Sequence, residues 1–141
     1  MPARSSSAKW EGKLKDGKGT MKVGSGAYEG PFSFVSRFES GDGTNPEELI
    51  AAAHAGCYSM AFSATLEKNG FDPKSVATTA TAHLEKVGDG FAITRIELDM
   101  EAEIPGIDDA KFNELAEAAK NGCPVSKALA GPEISLKAKL K

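Results

Sequence analysis

Cys57 and Cys123 are the two thiols in a chain of 141 residues, and they are its strongest candidates for chemistry. They stand too far apart in sequence for a CxxC redox pair or a zinc ribbon. Cys123 precedes Pro124 at a helix start, where backbone N–H groups and the helix dipole favour a thiolate. Cys57 falls inside an apolar run, Thr44 to Leu66, and gets no such help from its own backbone. A buried thiol without a cation has a raised pKa and is inert, so Cys57 also reads as a small core hydrophobe. His54, one helical turn earlier, is the other charge-capable side chain between Leu49 and Leu66. The nearest cation in sequence is Arg37, which alone reads as a solvated strand-edge residue. Glu47 alone reads as an acid dressing a helix start. His54, His83, Cys57 and Cys123 are four potential zinc ligands, but their spacing matches no finger, and no metal is expected. The glycines from Gly19 to Gly26 lack a P-loop lysine and a GxGxxG turn, so no phosphate site or cofactor is expected either.

The element that carries Cys57 has plain limits. Asn45 is a good N-cap, Pro46 suits the first helical position, and Glu47 and Glu48 fill the first turn. Asn69-Gly70 supplies a left-handed stop after Lys68. A helix over Pro46 to Lys68 is roughly 35 Å long, and its apolar character all round predicts a buried helix. Before it, three strands are expected: Ser5 to Leu14, Gly19 to Val23, and one through Phe32 and Phe34 that ends near Phe38 with Arg37 at its tip. After it come Val76 to Val87, a turn at Gly88-Asp89-Gly90, and Phe91 to Ile104. This last stretch sets Ala92, Ile96, Leu98, Met100, Ala102 and Ile104 on one face and acids on the other. Two shorter helices, Asp109 to Lys120 and Cys123 to Leu129, lead into a final strand, Glu133 to Leu140. The predicted fold is a single α+β domain over 1–141: a mostly antiparallel sheet of about six strands, with neighbours joined by hairpin-length links, wrapped around a long central buried helix.

Composition narrows the function. With 40% apolar and 26% charged residues, the chain has the make-up of an ordinary soluble protein. A net charge of −3 and no basic run argue against a nucleic-acid partner. The capped helix is interrupted by polar residues, which argues against a membrane span, and no apolar leader opens the chain. The expected compartment is the cytoplasm, where a structural disulfide is improbable. One sheet and one amphipathic helix cannot cover every side of an apolar rod. A second copy of the chain is the natural cover, and an obligate homodimer is expected.

The runs TNPEELIAAAHAGCYSMAFS and GCPVSKAL, with SRFE and AKWEG before them, resemble the osmotically induced protein C and organic hydroperoxide resistance (OsmC/Ohr) family. The likeness covers nearly the whole chain and leans toward the osmotically induced branch. It implies a thiol peroxidase acting in oxidative and osmotic stress defence, as an intertwined homodimer with active sites at the subunit interface. Carried over, Cys57 is the peroxidatic thiol and Cys123 the resolving one. Arg37 stabilises the Cys57 thiolate and the peroxide, and Glu47 orients Arg37. Organic hydroperoxides are the implied substrates, hydrogen peroxide a weaker one, and a lipoyl-type dithiol the reductant. Phe38, Leu49, Ile50, Tyr58 and Met60 are candidates for an apolar site wall.

Helix geometry constrains that assignment. Glu47 and Cys57, ten residues apart, would be separated by about 15 Å and point about 80° apart on an unbroken helix. Either the helix breaks between them, or Glu47 serves the Cys57 of the other subunit, which agrees with a dimer. The rival expectation is a non-catalytic dimer that binds a hydrophobic ligand and keeps both thiols for structure.

Overall fold

The computed structural model describes residues 2–141 as two compact units, one through Leu49 and one from Ile50 to Lys141. In the first, β1 (Ser6–Glu11), β2 (Lys18–Val23) and β3 (Glu29–Phe32) form an antiparallel sheet in chain order. Its register aligns Trp10, Gly19 and Phe32 across the three strands. The two aromatic rings close over the glycine, with centroids 5.3 Å apart. A Cβ on Gly19 would stand 2.5 Å from the Phe32 ring and 2.7 Å from the Trp10 ring. Gly19→Ala is therefore expected to push the rings apart and cost about 1–3 kcal/mol. A urea melt would read that loss, and an unchanged midpoint would show that the rings are free to move.

The third strand is shorter than its alternation predicts. It ends at Phe32, and Phe34–Phe38 form a short helix, α1. Ser33 and Ser36 cap it reciprocally: the Ser36 N–H donates to Ser33 Oγ at 3.1 Å and the Ser33 N–H to Ser36 Oγ at 2.8 Å. Phe34 and Phe38, which suit a strand face as well, meet instead at helical spacing with ring centroids 4.9 Å apart. Arg37 thus lies in the last turn of a helix rather than at a strand tip.

Helix α2 (Pro46–Lys68) begins in the first unit and runs without a break into the second. Its start is as the sequence reads: the Glu48 N–H donates to Asn45 Oδ1 at 2.8 Å. At its end Gly70 takes φ +85°, and the Phe71 N–H returns to the Leu66 carbonyl at 3.0 Å.

The second unit holds β4 (Ser75–Val87), β5 (Gly90–Glu103) and β6 (Glu133–Leu140), with β5 in the middle. The six strands therefore make two sheets of three. β4 and β5 pair as a hairpin, but β6 runs parallel to β5. No hairpin-length link serves that last pair. A parallel neighbour needs a crossover, and α3 (Asp109–Gly122) and α4 (Pro124–Ala128) provide it. A bulge opposite His83 and Leu84 shifts the β5 pattern, so that Ile93, not Ala92, packs toward the core.

That core joins Ile96, Leu98, Met100 and Ala102 of β5 to Tyr58, Phe62 and Leu66 of α2 and Phe112, Leu115, Ala116 and Ala119 of α3. Among the described residues α2 is the helix long and apolar enough to cross a membrane, and it serves here as a core helix. It is not buried all round. His54, Tyr58, Phe62 and Leu66, four residues apart, are buried, while Ala52, Ala53, Gly56, Met60 and Ala64 are exposed, Met60 at 76%. One sheet and α3 cover one side of the rod, and among the described residues the apolar side chains on its other side are exposed.

Candidate active site

Helix α2 presents Cys57 beside Cys123, the residue at which α3 stops and α4 starts. Cys123 takes extended backbone angles (φ −62°, ψ 124°), and its N–H still closes the last turn of α3 on Ala119 at 2.9 Å. Pro124 opens α4 because its fixed φ and missing N–H suit a first helical position. The two sulfurs are 2.9 Å apart, both free thiols, with Cys57 half-buried and Cys123 fully buried.

Their proton affinities differ in direction. Burial pushes the Cys57 thiol up, and its hydrogen bond with Cys123 adds to the rise. Burial also acts to raise Cys123, but hydrogen bonds from Cys57, the Ser126 backbone and hydroxyl, and the Val125 backbone outweigh it and hold Cys123 low. The second unit by itself thus favours negative charge on Cys123. The helix-start reading of that residue agrees with this.

Two polar residues behind Cys123 complete the arrangement. Ser126, in the first turn of α4, reaches Cys123 through its hydroxyl, and its Oγ lies 2.8 Å from His54 Nε2. His54 is 0% exposed, its Nδ1 has no hydrogen-bond partner among the described residues, and burial keeps the ring below its ordinary pKa. Ser126 did not stand out in the sequence, although its position three residues after a helix-start Cys123 is a capping spacing. His54 stood out only as a neighbour of Cys57 and a zinc candidate. His83 is not with the thiols: it sits on β4, with Nε2 2.5 Å from Glu97 Oε1. Among the described residues no three His, Cys, Asp or Glu side chains gather as a metal site.

The second pair lies in the first unit. Arg37 Nε and Nη2 both donate to Glu47 Oε1, at 3.2 and 2.9 Å. Glu47 is nearly buried, and its Oε2 has no hydrogen-bond partner among the described residues. Ser36 fixes this geometry, since its hydroxyl donates to the Thr44 carbonyl at 2.7 Å and its carbonyl accepts from Asn45 Nδ2 at 3.0 Å. Arg37, with its guanidinium 5.3 Å from the Phe38 ring centroid, also borders an apolar cavity of about 210 Å³ lined by Trp10, Leu14, Phe32, Phe34 and Phe38. Of the suggested wall residues, Phe38 lines this cavity. Tyr58 is fully buried, with its hydroxyl donating to the Ala116 carbonyl.

Two free thiols in contact on an α+β scaffold are an arrangement able to close into a disulfide. The chain belongs to the family described as OsmC-like protein, whose model matches residues 39–138. It is 52% identical over 135 residues to peroxiredoxin OsmC of Escherichia coli K12, covering 95% of this chain and 94% of that one. It is 33% identical over 92 residues to an organic hydroperoxide resistance protein of Xanthomonas axonopodis pv. citri, covering 64% and 63% of the two chains. The solved structure of an OsmC-like protein of unknown function from Vibrio cholerae matches with a TM-score of 0.75 at 16% identity, over 98% of this chain and 99% of that one. That likeness bears on the fold.

Proposed function

We propose that this peroxidase-type oxidoreductase reduces organic hydroperoxides by way of a Cys57 sulfenic acid and a Cys57–Cys123 disulfide. The observation that carries the proposal is the 2.9 Å contact between two free thiols, a distance that needs only a small movement to become a bond. In the first step the Cys57 thiolate attacks the distal oxygen of ROOH. The O–O bond breaks, its electron pair leaves with RO⁻, which is protonated to ROH, and Cys57 becomes Cys–SOH. In the second, Cys123 displaces the sulfenic oxygen as water and forms the disulfide, which an external dithiol reopens.

The charge preference within one chain runs against the first step, because Cys57 is the thiol held high. A cation at Cys57 reverses it, and Arg37, held by Glu47, is the candidate. The continuity of α2 from Pro46 to Lys68 supports combination of the pairs across subunits over combination through a helix break. The partner subunit of a homodimer is the favoured source, and the exposed apolar side of α2 supports such a partner. The unpartnered Glu47 Oε2 is a further group that a second chain would satisfy. The cavity beside Arg37 suits the apolar half of an organic hydroperoxide better than hydrogen peroxide. A lipoyl-type dithiol fits as reductant because a dithiol releases itself from the mixed disulfide by ring closure. Free thiols also suit the cytoplasm as the working compartment.

The test is mass spectrometry after one equivalent of cumene hydroperoxide. Loss of two hydrogens per chain is expected. An unchanged mass overturns the proposal and favours the rival, a dimer that binds a hydrophobic ligand in the same cavity.

A further inference from the structure

On the proposed cycle, Cys57 and Cys123 share one negative charge across 2.9 Å. When that charge sits on Cys57 for attack on the peroxide, Cys123 keeps its proton, because two thiolates in contact repel. Once Cys57 is a sulfenic acid, Cys123 must lose that proton before it can attack. It is fully buried, so water offers no direct exit. The groups within reach are Cys57 itself and the Ser126 hydroxyl, and behind Ser126 lies a buried imidazole whose neutral form burial favours.

We infer that Ser126 and His54 form a proton relay that activates Cys123 for disulfide formation. The inference rests on the peroxidase reading and assigns His54 as a positioning and proton-holding residue acting through Ser126. When Cys123 holds its proton and turns it from Cys57 Sγ to Ser126 Oγ, the Ser126 hydroxyl donates to His54 Nε2. That tautomer leaves the His54 proton on Nδ1, the atom with no partner among the described residues. Two short transfers convert this state to its charged counterpart. The Cys123 proton passes to Ser126, and the Ser126 proton passes to His54 Nε2, so that an imidazolium faces a thiolate through a hydroxyl that now donates to the sulfur. The Cys123 sulfur then attacks the Cys57 sulfur. The S–S bond forms, the S–O bond breaks, and its electron pair leaves on oxygen as hydroxide. The hydroxide is protonated to water, and His54 gives up its extra proton, so the step releases no net proton. Cys123 is oxidised by one electron equivalent and the sulfenic sulfur is reduced by one.

His54 is otherwise hard to account for. A buried imidazole with one nitrogen unsatisfied is a cost to folding, and a Phe or Leu would fill the same stripe of α2 without it. No charged side chain among the described residues shifts its pKa, and burial alone lowers it. That leaves the ring neutral and ready to accept a proton from a partner that becomes negative beside it.

The relay is tested by quenched-flow mass spectrometry on the whole protein mixed with one equivalent of cumene hydroperoxide. In the unaltered chain an oxygen adduct at Cys57 precedes loss of two hydrogens. His54→Gln keeps a hydrogen bond to Ser126 but cannot hold the proton; Ser126→Ala removes the link with a smaller change in volume. In both, Cys57 oxidation should not slow, because losing the hydrogen bond to Cys123 leaves the shared charge more on Cys57, while disulfide formation slows by about 10²-fold. Dimedone then traps the sulfenic acid, and the slow step recovers as the pH rises toward the thiol's own pKa. Unchanged disulfide rates in both variants overturn the relay, as does equal slowing of both steps at every pH, which marks a purely structural role. If the unaltered chain forms no disulfide, the peroxidase reading itself falls.

Discussion

Cys57→Ser is expected to consume no organic hydroperoxide above background, a loss of at least about four orders of magnitude in turnover. A serine hydroxyl is not ionised at neutral pH and cannot be oxidised by a peroxide. The replacement keeps the volume and polarity of a half-buried position, so the fold should stay intact. Cys123→Ser separates the roles of the two sulfurs. Its Cys57 is still oxidised, but the sulfenic acid has no internal thiol to meet. About one equivalent of peroxide should be consumed per chain to reach the sulfenic acid, and a second, slower equivalent should then carry it to sulfinic acid before consumption stops. Sustained turnover of Cys123→Ser with a dithiol, with Cys57 unmodified at the end, would sink the resolving role. Full activity in Cys57→Ser would move the chemistry to Cys123, the sulfur that this chain by itself holds low.

The second large effect is a gain of activity on mixing two inactive proteins. Arg37→Ala should lower peroxide turnover by about 10²–10³-fold, because the charge that stabilises the Cys57 thiolate and the breaking O–O bond is lost. Cys57→Ser is inactive for the reason above. If Arg37 serves the partner's Cys57, a mixed dimer has one site in which both losses fall and one in which neither does. With random exchange, half the dimers are mixed and half of their sites are intact, so about a quarter of full activity should return. If Arg37 serves the Cys57 of its own chain, no intact site can form, and the mixture stays inactive. Gel filtration of each variant before mixing checks that exchange is between dimers. A monomeric elution volume for the unaltered protein would remove the basis of the experiment.

The readability of the chain followed the range of the interactions. The bounds of α2 were plain because Asn45, Pro46 and Gly70 act within one turn of where they stand. The β4–β5 hairpin was plain because Gly88 takes φ +60° in a two-residue turn. Phe34 and Phe38 misled because one side-chain pattern fits a short strand and one turn of helix, and the capping pair Ser33 and Ser36 decides between them. β6 carries the same alternation whether it pairs parallel or antiparallel, so its direction depended on how the crossover packs. The bulge that brings Ile93 inward leaves no local mark. In the candidate site, family resemblance named Cys57, Cys123, Arg37 and Glu47, and the structure brings them together as two pairs, each inside one unit. His54 and Ser126 meet across 72 residues, and no local rule predicts a contact at that separation.

The placement of Cys123 on the crossover between parallel strands bears on the cost of recovery after each turn. A bond between the two sulfurs would tie α2 to that crossover across 66 residues of chain. Closing so long a loop restricts the unfolded chain by about 4 kcal/mol, and by linkage the folded protein holds the bond against reduction by the same amount. Relative to the same two cysteines in an unfolded chain, that is about 90 mV of extra reducing power demanded of the electron donor. The oxidised protein is accordingly the more robust form, and the reductant gives back that stability when it opens the bond.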